Sequence, residues 1–72
     1  MFNIKLIDIN GDGCAVDFKT SVDTLAEAEV IAKGEIGGHI GTNDIELIHN
    51  EELVYDVISG GSVVGVVAIE SL

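Results

Sequence analysis

The chain opens on an alternation. In Phe2-Asn3-Ile4-Lys5-Leu6-Ile7-Asp8-Ile9, residues Phe2, Ile4 and Leu6 fall on one face, and Asn3 and Lys5 fall on the other. Asn10-Gly11-Asp12-Gly13 follows, and Asn-Gly and Asp-Gly are strong hairpin signals because these residues tolerate positive φ. Cys14-Ala15-Val16-Asp17-Phe18-Lys19 then alternates again, with Cys14, Val16 and Phe18 inward and Asp17 and Lys19 outward. The two stretches predict a β-hairpin.

The period then changes. Thr24-Leu25-Ala26-Glu27 has the form of a capping box, in which the Thr24 hydroxyl accepts from the N–H three residues on and Glu27 reaches back to the Thr24 N–H. Asp23 and Glu27 suit the positive end of the helix dipole. Helix formers continue to Lys33, and Gly34 reads as a left-handed stop. The apolar stripe is Leu25, Ala28, Ile31 and Ala32, with Val22 ahead of it, and its small residues let the helix sit close to a sheet. Glu35–Asn43, with its glycines, reads as a mobile connector.

Three Val- and Ile-rich runs complete the chain, near Asp44–His49, Leu53–Ser59 and Val63–Glu70, punctuated by Asn50-Glu51-Glu52 and by Ser59-Gly60-Gly61-Ser62. Gly60-Gly61 is expected to turn the last hairpin, and Gly65 to mark a bulge or a close backbone approach. The fold expected is α+β: a single domain over residues 1–72, order ββαβββ, with a five-stranded, mostly antiparallel sheet and one helix packed on one face.

One helix covers one face of such a sheet. The inward set is Phe2, Ile4, Leu6, Cys14, Val16, Phe18, Ile45, Leu47, Leu53, Tyr55, Val57, Val63, Val67 and Ile69. Strict alternation sends Ile7, Ile48, Val54, Ile58, Val64 and Val66 to the other side, although a solvated sheet face should be polar. The sheet therefore either curls into a partial barrel, or offers an apolar patch rimmed by Glu46, Asp56 and Glu70. In the second case Ile48, Val54, Ile58, Val64 and Val66 form an apolar interface for a homodimer or another protein.

Charge sharpens this picture. Thirteen acids against three Lys or Arg give a formal net charge of −10 in 72 residues, and Asp44–Ile69 contains neither Lys nor Arg. Direct nucleic-acid binding is disfavoured because its affinity comes largely from cations, and an anionic membrane surface is disfavoured on the same ground. The single Cys14 makes no internal disulfide, the start MFNIKLIDIN lacks the features of a signal peptide, and the longest apolar run, Val63–Ile69, is far shorter than the ~20 residues that span a bilayer. A cytoplasmic protein is expected.

Catalytic chemistry finds little support. Cys14, His39 and His49 lack zinc-ligand spacing; Glu51-Glu52 lie at a turn, where solvent keeps carboxylates ordinary; Gly34–Gly41 lacks the Lys of a phosphate loop. The expectation is no enzyme activity, no metal and no cofactor. Asp8-Ile9-Asn10-Gly11-Asp12-Gly13 resembles the opening of the dockerin family's calcium loop, with oxygen ligands at positions one, three and five and Gly for the sharp turn. That resemblance implies a calcium-binding module using Asp8, Asn10 and Asp12. Position twelve, however, is Lys19, and the flanks alternate as strands. The strand–strand–helix start also resembles the β-grasp fold of ubiquitin-like proteins, and the chain closes on Ile69-Glu70-Ser71-Leu72 without the Gly-Gly that conjugation uses.

The acids thicken at Asp44, Glu46, Glu51, Glu52 and Asp56, and these five are the expected partner-binding residues. Carboxylates spaced along a hairpin can pair with the Arg and Lys that grip phosphates. In format, a tiny acidic ββαβββ chain with Leu25-Ala26-Glu27-Ala28-Glu29-Val30-Ile31-Ala32 and short strands bearing Val54-Tyr55 resembles the small phage-encoded anti-CRISPR inhibitors. The resemblance implies a CRISPR effector or nuclease as partner and no chemistry of the chain's own. The function expected is inhibition of a nucleic-acid-handling complex through its basic surface, by occlusion or charge mimicry. The alternatives are a homodimeric assembly module and the calcium-binding module.

Overall fold

The computed structural model describes residues 1–72. It is the expected α+β domain: β1 (Phe2–Ile7), β2 (Ala15–Thr20), α1 (Leu25–Ile40), β3 (Glu46–Glu51), β4 (Val54–Ser59) and β5 (Ser62–Ser71), in one five-stranded sheet of order β2-β1-β5-β4-β3. Every neighbouring pair is antiparallel, including the central β1–β5 pair. The sheet is open, with β2 and β3 as its edges, so it does not close into a barrel.

Helix α1 lies across the face bearing Phe2, Ile4, Leu6, Tyr55, Val57, Val67 and Ile69, all buried. Its buried stripe is Ala28, Ala32 and Ile36, at the four-residue spacing that keeps side chains on one side of a helix. Ala28 and Ala32 have no exposed surface, which is the close seating expected of small residues. Thr24 caps the start. Its Oγ1 accepts from the Glu27 N–H at 3.2 Å, and its hydroxyl donates to Glu27 Oε1 at 2.9 Å, so Glu27 reaches back to the Thr24 side chain rather than to its N–H.

The helix does not stop at Gly34. It runs on through Glu35–Ile40 and ends at Gly41, whose φ of 79° is left-handed and whose N–H donates to the Gly37 carbonyl. The connector expected over Glu35–Asn43 is therefore mostly helix. Two packing facts outweigh the weak helix propensity of glycine here. Ile36 is completely buried, and the returning chain crosses Gly37 so closely that a Cβ there would stand 2.8 Å from the Thr42 carbonyl oxygen.

The ends of β1 and β5 correct the expected alternation as well. β1 stops at Ile7, a 3₁₀ turn forms over Ile9–Gly11, and Ile9 swings inward to 2% exposure. It settles on Gly65, where an added Cβ would lie 2.6 Å from Ile9 Cδ1 and 3.0 Å from Ile9 Cα. Gly65 is thus a close-approach glycine, as expected. Beside it the β4–β5 register slips between Val57 and Ile58, with Val57 opposite Gly65 but Ile58 opposite Val63. That bulge reverses the phase of the preceding residues. Val64 packs half-buried against the core, and Val63 is 61% exposed, the opposite of what strict alternation assigns them.

Four members of the inward set are exposed: Cys14, Val16, Leu53 and Val63. Cys14 sits before β2 and Leu53 in the β3–β4 turn, where the strand period does not apply. Val16 has the right face, opposite Leu6, but lies on an edge strand beyond the helix and remains 54% exposed.

Replacing Gly65 with Ala should destabilise the fold by about 1–3 kcal/mol by forcing Ile9 off its seat. Ile9→Ala should cost about 2–5 kcal/mol through the cavity it leaves. Denaturant unfolding measures both, and because the two residues touch, the losses in the double variant should fall short of their sum.

Candidate interaction surface

The uncovered face of the sheet carries most of the residues selected by the sequence. Glu46 stands opposite Ile58, Ile48 opposite Asp56, and Glu51 opposite Val54. On the other side of β4, Asp56 is opposite Val66 and Val54 opposite Ala68; β1 adds Ile7 opposite Val66. Acids and aliphatics therefore alternate along and across β3 and β4, and β5 flanks them with the aliphatics Val66 and Ala68. Ile48 is 48% exposed, and Val54, Ile58 and Val66 are half-exposed. Asp44 and Glu52 do not join the face: Asp44 precedes β3, where its N–H donates to Thr42 Oγ1, and Glu52 sits in the β3–β4 turn. Val64 leaves the apolar interface for the core, because the bulge turns it inward.

A second register shift, between His49 and Glu51, makes Asn50 the unpaired residue of β3, and its Nδ2 donates to Asp56 Oδ1 at 3.4 Å. No lysine reaches these carboxylates. The one ion-pair contact in the molecule joins His39 Nε2 and Asp12 Oδ2 at 3.1 Å, on the opposite side of the sheet. Glu46, Glu51 and Asp56 thus present unneutralised charge beside apolar surface. At one end of this face an open hollow of about 360 Å³ lies between the Asp8–Gly11 turn and the start of β5, with Ile7 and Val66 as walls and Asp8 and Asn10 at its rim.

On the helix side, Tyr55 is buried, and its hydroxyl donates to Glu29 Oε2 at 3.3 Å. His49, directly across from it on β3, stacks on the ring at 4.9 Å between centroids, with His49 Nε2 3.0 Å from the Glu52 carbonyl oxygen. Burial, reinforced by the Glu29 charge and hydrogen bond, raises the Tyr55 phenol above its ordinary value. These contacts pin the β3–β4 hairpin to the helix and hold the acidic face in place.

The Asp8–Gly13 turn uses its carboxylates internally. Asp8 Oδ1 accepts from the Gly13 N–H at 2.8 Å, and Asp12 Oδ1 accepts from the Cys14 N–H at 2.9 Å, leaving Asp12 Oδ2 on His39. No group of three or more His, Cys, Asp or Glu side chains is placed to hold a metal ion. The fold does gather Asp12, Cys14, Glu35 and His39 around a small cleft of about 110 Å³ floored by Leu6, Ile9, Val16 and Phe18. Sequence reasoning missed this grouping. Its members come from the hairpin turn and from the Glu35–His39 turns of the helix, where the glycines predict a connector.

Comparison with protein-family profiles, with curated proteins and with solved structures finds no match to this chain. Its class is that of a one-helix, five-strand antiparallel α+β domain.

Three measurements check this geometry. Absorbance titration should place Tyr55 ionisation above the ordinary phenol value of about 10, and Glu29→Gln should bring it only part of the way back, because burial persists. A raised folded pKa stabilises the fold fully below about pH 10 and loses that contribution as the pH climbs through the folded value, so the unfolding free energy should drop there and drop less in Glu29→Gln. Thermal midpoints with calcium and with chelator should coincide, since the turn's carboxylates already cap its own N–H groups and Lys19 occupies position twelve.

Proposed function

We propose that this protein is a non-enzymatic, acidic interaction protein that seats the outer face of β3, β4 and β5 on a basic, phosphate-gripping surface of a nucleic-acid-handling partner and occludes it. The observation that carries this reading is the coincidence, on one uncovered face, of Glu46, Glu51 and Asp56 with Ile48, Val54, Ile58 and Val66, none of the acids meeting a cation. A surface of this kind suits a partner that offers Arg or Lys around an apolar centre. The aliphatics supply area to bury, while the carboxylates select a cationic partner and accelerate its approach. Asp44 and Glu52, at the two ends of β3, extend the negative field beyond the face.

A homodimer formed face to face would lay Glu46, Glu51 and Asp56 against the same carboxylates of its own copy, with no cation among them. Like charges opposed at an interface cost several kcal/mol, and that weighs toward a different, cationic partner. The resemblance to phage-encoded anti-CRISPR proteins makes a CRISPR effector in a host cytoplasm the first partner to assay. No helix is long and apolar enough to cross a membrane.

The test compares the tagged chain with its Glu46→Lys/Glu51→Lys/Asp56→Lys variant in capture from a host lysate, with bound proteins identified by mass spectrometry. The wild type should retain DNA- or RNA-handling proteins that the variant loses. Binding of the purified pair should weaken steeply between about 50 and 500 mM salt and be competed by nucleic acid. Equal capture by both chains, or an affinity indifferent to salt, would remove charge mimicry.

A further inference from the structure

We infer that the open edge of β2 is a self-pairing edge, through which two copies of this chain join antiparallel about Phe18 into one continuous sheet. The inference is independent of the acidic face, which lies at the other end of the sheet.

The backbone register of β2 leaves one set of its groups free. Asp8 N–H donates to the Cys14 carbonyl at 2.8 Å, and from there the β1–β2 ladder alternates. The even-numbered residues of β2 therefore bond toward β1, while the N–H and C=O groups of Ala15, Asp17 and Lys19 point to the open edge. In an antiparallel pair centred on Phe18, Asp17 of each copy falls opposite Lys19 of the other as a hydrogen-bonded pair, and the two Phe18 residues fall opposite each other at the closer, non-hydrogen-bonded spacing. The exposed edge and the charge pattern thus agree on one register.

Charge favours the same edge. Lys5 and Lys19, two of the three cations in a chain of net charge −10, stand on the outer face of β1 and β2, with Asp17 between them opposite Lys5. This corner is where two such acidic chains approach with least repulsion. Pairing here also carries the β3–β4 hairpins to the far ends of the joined sheet. The other edge is closed to self-pairing: β3 begins and ends in Glu46 and Glu51 and is interrupted by its register shift at Asn50.

Apolar surface is also left open beside this edge. Val16 and Phe18 face the helix layer, yet α1 lies over β1 and β5 and leaves Val16 54% exposed beside the small cleft. Joining two β2 edges brings Val16 and Phe18 of both copies into one trough between the two helices, removing from water what the helix cannot reach.

Sedimentation equilibrium over a concentration series tests this on the intact chain. The wild type should show a monomer–dimer equilibrium. Lys19→Glu should weaken it about tenfold, because both symmetry-related pairs turn repulsive. Lys33→Glu on the helix, an equal change in net charge away from the edge, should leave it unaltered, and the swap Asp17→Lys/Lys19→Asp should restore it. Amide exchange at Asp17 and Lys19 should slow as concentration rises. A monomer at every concentration overturns the inference. So does a dimer indifferent to Lys19→Glu, or one broken instead by Val66→Lys, which would place the contact on the sheet face.

Discussion

One sixteen-residue helix has to cover a five-stranded sheet, and the rest of the molecule is arranged around where it lies. Its contact stripe is narrow. Ala28 and Ala32 bring the backbone down onto the central strands, and Ile36 fills the space further along. A helix so seated shields β1, β5 and the strands toward β3, but covers β2 only in part: Phe18 packs half-buried against the core and Val16 stays exposed. The core is therefore asymmetric. Phe2, Ile4 and Leu6 are buried on β1, whereas Val16, paired with Leu6, stays in water. Burial is decided by position under the helix as much as by side-chain chemistry.

The shortage of covering mass is partly met by Ile9. By leaving the strand it becomes a plug over Gly65, beside the last turns of the helix. The bulge beside Gly65 then turns Val64 toward the same layer. These two irregularities complete the interior at the end of the sheet where regular elements would leave it thin. Two surfaces remain exposed: the acid-and-aliphatic face of β3, β4 and β5, and the edge of β2 with Lys19, the neighbouring Lys5 of β1 and the cleft.

Those surfaces differ in electrostatic character, and on the proposals made above they meet different kinds of partner. A face carrying unpaired Glu46, Glu51 and Asp56 repels its own copy and attracts cations; an edge carrying Asp17 and Lys19 two residues apart complements itself when reversed. Both can be engaged at once, because they sit at opposite ends of the strand order. A dimer joined at β2 would present two acidic faces to a partner with repeated basic sites, and avidity would then amplify a modest single-site affinity.

Local signals in the chain were sufficient for the element order and for most of each strand. Alternation at Phe2–Leu6 and Val16–Phe18, the Thr24 cap, the Gly60-Gly61 turn and the close-approach role of Gly65 all act over a few residues and can be read from a few residues. The co-facial grouping of Glu46 and Asp56 with Ile48, Val54, Ile58 and Val66 was legible too, because a period of two fixes it within each strand. What depended on tertiary contact was not. Gly34, Gly37 and Gly38 look like loop residues by propensity, and only the burial of Ile36 and the crossing of Thr42 over Gly37 keep them helical. Ile9 looks like the end of a strand until Gly65 gives it a place to go, and Val63 and Val64 exchange sides because of a register shift that no local pattern announces. The pairing of the His39 ring with Asp12, and the choice of which strand the helix leaves partly uncovered, join residues far apart in the chain. The physical reason is common to all of these. Sequence periodicity reports how a segment would bury itself against a uniform apolar surface, whereas the finished fold supplies a surface of particular width, with gaps, that decides which residues it can hold.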